Sequence, residues 1–377
     1  MSTNPRIYLD FNATAPLHPR ARAAMAQAMA DPGNPSSIHA EGRRARDHIE
    51  RARDQVARLV GRPREQLVFT SGGTEGNALG VLGLAAVAER RGSPRIVAAS
   101  AIDHPSLRGA VAALVGRGWQ LRPIRVTAAG AVDPGSLAGS LAGAGLVAIA
   151  AVNHELGTIA DPEVIAAARA AGALVHVDAV QAAGKLPLAA IDADALVVSA
   201  HKLGGPQGAG AVALAHDDGL PLIEAGHQER GRRPGTENTL GIVGFGAAAA
   251  DADPASWPAV AALGERLEAG LRAIPGVRIH GAGTPRVGGT VNAGFAGARG
   301  ESIVIALDLA GIAASTGAAC TSGSIQPSPV LLGLGLSPDE AREAVRFSLG
   351  RTTTAGEIDA VLEHLPAIVA RARAHRA

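Results

Sequence analysis

The segment Leu196-Val-Val-Ser-Ala-His-Lys-Leu-Gly-Gly-Pro206 places a lysine after a short hydrophobic run and before a glycine-rich turn. The run predicts a buried strand over residues 196–199, so Lys202 lies near the carboxyl edge of a sheet. Partial burial at such an edge lowers the pKa of a lysine and makes its amine nucleophilic, as bonding to an aldehyde requires. Ser199 and His201 are two apart in extended chain, so both can face an anion. The alternative is a surface lysine on a turn.

The pattern on either side of this segment predicts the rest of the sheet. Strands are predicted at residues 66–70, 95–100, 146–152, 173–178 and 196–199, and alanine-rich helices at 76–91, 105–116 and 162–171. This alternation favours an α/β fold with a mainly parallel sheet covered on both faces. Ligands of such sheets bind beyond the carboxyl ends of the strands. A helical stretch at 259–274, with short strands at 277–280 and 287–295, predicts a second, smaller α+β domain.

Composition and charge argue against several classes of function. The chain of 377 residues is longer than one typical domain needs, its formal net charge is +1, and basic and acidic residues are interspersed. A nucleic-acid partner is therefore not expected. Without a long apolar run or an apolar stretch in residues 1–6, we expect a cytoplasmic protein with no membrane partner. The single cysteine excludes an internal disulfide and a thiolate metal cluster.

Two further polar clusters follow predicted strands. In Phe69-Thr-Ser-Gly-Gly-Thr-Glu-Gly-Asn77, small residues including Gly73 and Thr74 join a strand to a helix. Backbone N–H groups and the helix dipole favour an anion such as phosphate there, and an ordinary helix cap is the alternative. In His176-Val-Asp-Ala-Val-Gln181, Asp178 ends a buried strand and needs a partner. A protonated pyridine nitrogen is one candidate partner, and a loop that the aspartate caps is the other.

The three clusters run in the order phosphate loop, aspartate, lysine, which is the order in fold-type I pyridoxal-phosphate enzymes. The chain resembles the cysteine desulfurases of the class V aminotransferase group, in the subgroup that supplies iron–sulfur cluster assembly. This resemblance covers nearly the whole length. It also rests on Tyr8-Leu-Asp-Phe-Asn-Ala-Thr14, Gly33-Asn-Pro-Ser-Ser-Ile-His39, Arg230-Gly-Arg-Arg-Pro-Gly-Thr-Glu-Asn238, Ser315-Thr-Gly-Ala-Ala-Cys320 and Arg346-Phe-Ser-Leu-Gly-Arg-Thr352.

The resemblance implies a fold-type I transferase with pyridoxal 5'-phosphate as cofactor. It implies a large cofactor-binding domain at residues 14–256, and a small domain of residues 1–13 and 257–377 that carries the catalytic cysteine loop. Thr236 matches a threonine that reaches the phosphate of the neighbouring subunit, which implies a homodimer. The other implied roles are a bond to the cofactor for Lys202, pairing with the pyridine nitrogen for Asp178, contact with the ring hydroxyl for Gln181, phosphate binding for Gly73, Thr74, Ser199 and His201, and ring stacking with proton transfer for His104.

The same resemblance implies the reaction. L-Cysteine is the substrate, Arg346 holds its carboxylate, and Asn34 is a second candidate for that contact. Cys320 receives the sulfur as a persulfide, alanine is released, and an acceptor protein, either an iron–sulfur scaffold or a sulfur carrier, takes the sulfur. The small polar residues around Cys320 favour a reactive thiol over a structural one. The alternatives are a selenocysteine lyase, an aminotransferase, or a cofactor-binding partner protein that has lost catalysis.

One position near the expected site departs from the family pattern. In Asn153-His-Glu-Leu-Gly157, His154 stands where many relatives have an asparagine that contacts the ring hydroxyl. An imidazole can donate one hydrogen bond as an amide does, so we expect His154 to bind the cofactor with altered tuning. The pair His154-Glu155 is not a zinc motif, because no second histidine follows at helical spacing. No metal site is predicted.

Overall fold

The computed structural model describes residues 6–216, 219–317, 320–321 and 324–374. The helices in these ranges are α1 (Pro19–Ala28), α2 (Ala40–Val60), α3 (Gly73–Arg90), α4 (Pro105–Val115), α5 (Pro134–Leu141), α6 (Pro162–Ala170), α7 (Thr239–Asp251), α8 (Trp257–Arg272), α9 (Gly300–Leu309), α10 (Pro329–Gly333), α11 (Pro338–Arg342) and α12 (Ala355–Ala374). The strands are β1 (Ile7–Tyr8), β2 (Leu67–Thr70), β3 (Ile96–Ser100), β4 (Gln120–Ile124), β5 (Leu146–Ala150), β6 (Leu174–Asp178), β7 (Ala195–Ser199), β8 (Gly210–Leu214), β9 (Val277–His280), β10 (Thr290–Phe295), β11 (Ile312–Ala313), β12 (Cys320–Thr321), β13 (Ser324–Ile325) and β14 (Ala344–Ser348).

A seven-stranded sheet lies between two hydrophobic clusters, one packed on each of its faces. Its strand order is β2-β8-β7-β6-β5-β3-β4. The neighbours from β7 to β4 pair in parallel, whereas β8 pairs antiparallel with both β7 and β2. Strands β6, β7 and β8 are buried along their whole length, as in a sheet covered on both faces. The predicted α/β fold with a mainly parallel sheet is confirmed.

The sequence did not indicate two strands of this sheet. Strand β4 is largely exposed and contains Pro123, which an edge strand tolerates because the missing N–H would face solvent. Strand β8 begins in a glycine-rich stretch that we interpreted as a turn. Gly210 is required there, because a Cβ atom would lie 2.6 Å from the Cα atom of Gly72. Helices α1, α2, α5 and α7 were also missed, since alanine, glycine and arginine are abundant throughout the chain and weaken the contrast between helices and loops.

The sheet brings three of its strand ends to one edge. Strands β2, β6 and β7 run in the same direction and end at Thr70, Asp178 and Ser199. Helix α3 begins just after β2 and packs closely on the sheet, because a Cβ atom at Gly76 would lie 2.7 Å from Cγ1 of Val197. The first turn of α3 therefore lies beside the ends of the parallel strands.

A second hydrophobic core surrounds the antiparallel sheet β14-β10-β9 and helices α8, α9 and α12. It includes Leu9 from the start of the chain, and β1 pairs in parallel with β11. The domain bounds 14–256 and 1–13 with 257–377 stay a prediction. Within the described ranges, no helix combines the length and the apolar character that crossing a bilayer needs.

Candidate active site

A cavity of about 610 Å³ opens at the carboxyl edge of the seven-stranded sheet. Residues from the sheet edge, from the start of the chain and from β14 line it together. Most of the predicted site residues are among them: Gly73, Thr74, His104, His154, Asp178, Gln181, Ser199, His201, Lys202 and Arg346. Segments that lie up to 334 positions apart in the chain, from Asn12 to Arg346, therefore meet at one cavity.

Lys202 lies in a short helical turn directly after β7. Its Nζ atom donates hydrogen bonds to the carbonyl oxygens of Asn12 and Ala13, each at 2.6 Å. Burial and the nearby positive charge of Arg346 lower the pKa of Lys202 to about 8, against an opposite effect of Asp10 and Asp178. A substantial fraction of this amine is therefore neutral and nucleophilic near physiological pH.

The groups predicted to hold a phosphate lie together beside the first turn of α3. Gly73 is the first residue of that helix, and Ser199 ends β7. The Oγ atom of Ser199 is buried without a hydrogen-bond partner in the described part of the chain. His201 contacts the Oγ1 atom of Thr14 through Nδ1 at 3.3 Å, and burial followed by the charge of Lys202 lowers its pKa to about 4. These residues would therefore bind an anion through N–H and O–H donors and the helix dipole.

Asp178 is held by two N–H donors. The Nδ2 atom of Asn77 donates to its Oδ2 atom at 2.8 Å, and the backbone N–H of Val180 donates to Oδ1 at 3.0 Å. The Oδ1 atom of Asn77 lies 3.0 Å from Nε2 of His176. Burial lowers the pKa of His176 to about 3, so its neutral ring donates from Nε2 to that oxygen. The amide of Asn77 is thereby oriented with its N–H groups toward Asp178.

The amide of Asn77 is also connected to His104, through the hydroxyl of Ser106. A second N–H of Asn77 donates to the Oγ atom of Ser106 at 2.9 Å, and Oγ lies 2.7 Å from Nδ1 of His104. The backbone N–H of Ser106 also donates to Nδ1. Because Nδ1 accepts these bonds, the ring hydrogen of neutral His104 is on Nε2. Burial and the charges of Lys202 and Arg346 lower the pKa of His104, against the effect of Asp178.

His154 lies edge-on against His104, with ring centroids 4.9 Å apart. Burial, followed by the neighbouring His104 and Arg346, lowers the pKa of His154 well below its ordinary value. The ring is therefore neutral in the physiological range. His154, which stands at the position of the family's asparagine, thus lines the cavity as an uncharged group. It contacts His104, the residue expected to stack on the cofactor.

Arg346 reaches the cavity from β14 and is almost fully buried. One terminal nitrogen donates to Oδ1 of Asp10 at 2.8 Å, and the other donates to the carbonyl oxygen of His154 at 3.2 Å. Its Nε atom is buried without a hydrogen-bond partner in the described part of the chain. The backbone of Arg346 also pairs with Ser315, which lies five positions before Cys320. The guanidinium is therefore positioned by protein groups and keeps one donor free.

Both described flanks of the segment containing Cys320 reach the cavity, because Ser315, Gly317 and Gln326 line it. Strand β12, which contains Cys320, pairs with β13, while the side chain of Cys320 lies outside the description. The Oγ atom of Ser328 donates to Oε2 of buried Glu155 at 2.6 Å. Burial raises the pKa of Glu155, against this hydrogen bond and the charge of Arg346.

Two predicted residues lie outside this cavity of their own chain. Asn34 is exposed, and its Oδ1 atom accepts a hydrogen bond from the backbone N–H of Ser36. Thr236 is also exposed. An exposed position is the one expected for a residue that serves a neighbouring subunit. The roles of Asn34 and Thr236 stay predictions.

The whole-chain pattern matches a known protein family. The family described as aminotransferase class-V matches residues 7–361. The chain belongs to the class V aminotransferase family. The cysteine desulfurase of Enterobacter agglomerans is 41% identical, with 97% of this chain and 93% of that protein aligned. A solved NifS-like protein has a TM-score of 0.88 at 31% identity, covering 97% of this chain and 100% of that one. A structure of SspA in complex with cysteine has a TM-score of 0.79 at 28% identity, covering 92% and 100%.

Class V aminotransferases use pyridoxal phosphate, so the predicted family and cofactor are confirmed. The described residues fit this group. The unpartnered Oγ atom of Ser199 beside the start of α3 suits a phosphate oxygen, and Asp178 suits a protonated ring nitrogen. The amine of Lys202 contacts carbonyl oxygens and no carboxylate in the described ranges, so it is available to an aldehyde.

Several residues that contact the predicted site residues were not predicted from the sequence. Asp10 pairs with Arg346, Asn12 accepts from Lys202, and Asn77 donates to Asp178. Each lies inside a motif that we quoted, yet no residue spacing links it to its partner. The feature of the sequence that could have indicated them is a polar residue at a position where its neighbours are apolar. Lys185, which contacts Asn12 and Gln181, was not singled out.

Proposed function

We propose that this class V enzyme is a cysteine desulfurase, which converts L-cysteine to L-alanine and passes the sulfur, as a persulfide on Cys320, to an acceptor. The observation that carries the proposal is the meeting of three elements at one cavity: Lys202 with its cofactor-binding neighbours, Arg346, and both flanks of the Cys320 segment. Relatives about 40% identical over nearly the full length are cysteine desulfurases. The single cysteine of the chain supplies the thiol.

The cofactor pocket would be held as follows. Lys202 would carry the cofactor, Asp178 would keep its ring nitrogen protonated, and Gln181 with His154 would face the ring hydroxyl. Gly73, Thr74, Ser199 and His201 would donate to the phosphate. When bound, pyridoxal phosphate supplies an electron sink for bonds at the α-carbon of an amino acid.

The chain's own residues would bind cysteine and move its protons. Arg346 would take the substrate carboxylate, with Asp10 fixing the direction of the guanidinium. Lys202, with a pKa of about 8, would take the α-proton at Nζ. His104 would act as a proton donor through Nε2, because its Nδ1 atom accepts hydrogen bonds from Ser106.

The sulfur step would take place between two thiol groups. The Cys320 thiolate attacks the substrate sulfur, so a sulfur–sulfur bond forms and the substrate carbon–sulfur bond breaks. The electron pair of the broken bond remains with the carbon fragment, which takes up a proton and leaves as alanine. The sulfur atom is then passed to an acceptor protein.

The direct test is product analysis with L-cysteine and a thiol reductant. We expect alanine and sulfide in equal amounts. An aminotransferase would instead need a 2-oxo acid as amino-group acceptor, and a selenocysteine lyase would act on selenocysteine in preference to cysteine. Cys320→Ser protein should form no protein-bound persulfide. Normal delivery of persulfide sulfur by that variant would refute the role of Cys320.

We further infer a homodimer with shared sites, in a cytoplasmic setting, with an iron–sulfur scaffold or a sulfur carrier as acceptor. The exposed position of Thr236 outside its own cavity supports sharing. Lys202→Ala and Thr236→Ala chains can be mixed to test this. If Thr236 serves the neighbouring subunit, a mixed dimer has one site with both residues intact and regains activity. If Thr236 serves its own chain, neither site is intact and mixing restores nothing.

A further inference from the structure

The choice of cations in this chain is uneven. The sequence has 35 lysine and arginine residues, and Lys185 and Lys202 are the only lysines among them. Both lysines contact the same residue, Asn12, at the cavity. All the other residues in this set are arginines. Lys185 and Lys202 thus differ from the other cations of the chain in having a compact amine in place of a planar guanidinium.

The Nζ atom of Lys185 bridges two residues that line the cavity. It donates to Oδ1 of Asn12 at 3.2 Å and to Oε1 of Gln181 at 3.0 Å. Asn12 in turn accepts at its carbonyl oxygen from Lys202 and from Nε2 of Gln181. Lys185, Gln181, Asn12 and Lys202 thus form one connected set of hydrogen bonds.

The direction of these bonds fixes two amides. The carbonyl oxygen of Asn12 can only accept, so Nε2 of Gln181 points toward it, and Oε1 points toward Lys185, which donates to it. The Nδ2 atom of Asn12 donates to the carbonyl oxygen of His154 and to Oγ1 of Thr290. Asn12 is consequently held from both sides, which fixes the carbonyl oxygen that accepts from Lys202.

We propose that Lys185 is a positioning residue of the cofactor pocket: its amine orients Asn12 and Gln181, and through them it places the amine of Lys202. This inference rests on the proposed function only for the identity of the cofactor.

Electrostatics distinguishes a lysine from an arginine at this position. Burial, followed by the positive charges of Lys202 and Arg346, lowers the pKa of Lys185 to about 7. Repulsion between two charges is mutual, so a protonated Lys185 also disfavours a proton on Lys202. A neutral amine still has two N–H groups for its two acceptors, whereas a guanidinium remains charged in proteins.

Among the described residues, no carboxylate pairs with Lys185 or raises its pKa. Its Nζ atom lies 5.1 Å from the centroid of the Trp257 ring. Both lysines also line a second cavity of about 130 Å³, with Asp251 in its wall. That carboxylate is already paired with His18 and Arg20. Lys185 contacts Asn12, Gln181 and Trp257, and the charges that act on it are those of Lys202 and Arg346. The charged or titratable groups that share the second cavity with it are Lys202, His18, Asp251 and Arg351.

The first test is the affinity for pyridoxal phosphate, titrated into the full chain after removal of cofactor. Lys185→Met leaves two amide oxygens without their donor, so we expect about tenfold weaker binding. Arg286→Met is the control, because it removes another poorly exposed cation, which pairs with Glu268 away from this cavity. We expect that control to bind the cofactor within about twofold of the parent chain. Parent-like affinity in Lys185→Met would overturn the proposal, as would an equal loss in both variants.

The second test uses the rate at which pyridoxal phosphate associates with the chain at each pH, which follows the neutral fraction of Lys202. In Lys185→Arg, a permanent charge beside Lys202 should move the midpoint of this rate to lower pH, by about one unit. An unchanged midpoint would show that a charge at position 185 does not act on the amine of Lys202, and it would overturn the proposal. Neither test uses cysteine. A failure to form alanine in the parent chain would therefore count against the proposed reaction and not against Lys185.

Discussion

Two walls of the cavity are built in different ways. The sheet-edge wall consists of Asp178, Ser199 and Lys202, which end strands or follow them within three residues. The opposite wall consists of Glu155 and Arg346, whose side chains bond to residues far away in sequence. Arg346 pairs with Asp10, 336 positions away, and Glu155 accepts from Ser328, 173 positions away.

The two walls therefore differ in what a substitution should change: the reacting groups on one wall, and the way substrate is held on the other. The backbone of the sheet-edge wall is fixed by strand pairing at Asp178 and Ser199, so a substitution there removes a chemical group and leaves the strands in place. Groups of the opposite wall are fixed by side chains of other segments. A substitution on that wall should therefore change how substrate is held more than it changes the reacting groups.

The largest expected effect is on the sheet-edge wall. Lys202→Ala removes the amine that would carry the cofactor and take the α-proton, so we expect alanine formation to fall by roughly 10³-fold or more. Alanine release from cysteine and the visible absorbance of the bound cofactor measure the two roles. Retention of both signals would show that the lysine is not the anchor and that the comparison of walls is wrong.

A smaller effect is expected from the opposite wall. Arg346→Lys keeps the charge but loses the fork that can bind a carboxylate and Asp10 together, so kcat/KM for cysteine should fall about 100-fold, mainly through KM. Arg108→Lys is the matched control, because Arg108 lines the same cavity without a described hydrogen bond from its side chain. We expect that control to change kcat/KM less than about threefold. A fall in kcat with unchanged KM would assign Arg346 to the reaction itself.

The two walls also differ in how much of them the sequence predicts. Asp178, Ser199 and Lys202 were predicted because a hydrophobic run and a polar residue at its end lie side by side in the chain. Arg346 and His104 were identified only through resemblance to a family. Asp10, Asn12 and Asn77 were missed, since their importance depends on a partner that only the folded chain brings near. The side chain of Cys320 lies outside the described residues, so its placement stays a prediction.

Substitution of Asn77, which holds Asp178 in place, should have a smaller effect than substitution of a residue of the sheet-edge wall. Asn77→Ala removes one donor from Asp178 and the link through Ser106 to His104, so affinity for pyridoxal phosphate should fall about tenfold. Asn77→Asp places a carboxylate against Asp178 and should weaken binding further, because like charges then adjoin. Cofactor titration of both variants tests this order. Binding by both within twofold of the parent chain would show that β6 alone holds Asp178.

The smallest expected effect links Lys202 to the partner of Arg346, because the negative charge of Asp10 raises the pKa of Lys202. The neutral fraction of Lys202 grows as pH rises through about 8, so the rate of cofactor association should rise over the same range. Asp10→Asn removes a charge that favours protonated Lys202, and it leaves Arg346 without its carboxylate partner. Both changes lower the pKa of Lys202, so the midpoint of the rate should move to lower pH, by less than about one unit.

Asp251→Asn is the control for this shift. Asp251 lies in the wall of the second cavity beside Lys202 but pairs with His18 and Arg20, and it does not contribute to the lowered pKa of Lys202. Its substitution should leave the midpoint unchanged. If Asp10→Asn also leaves the midpoint unchanged, the two walls act independently, and Asp10 serves only to orient Arg346. If the midpoint moves to higher pH, the electrostatic account of Lys202 is wrong, because loss of a nearby anion cannot favour the protonated amine.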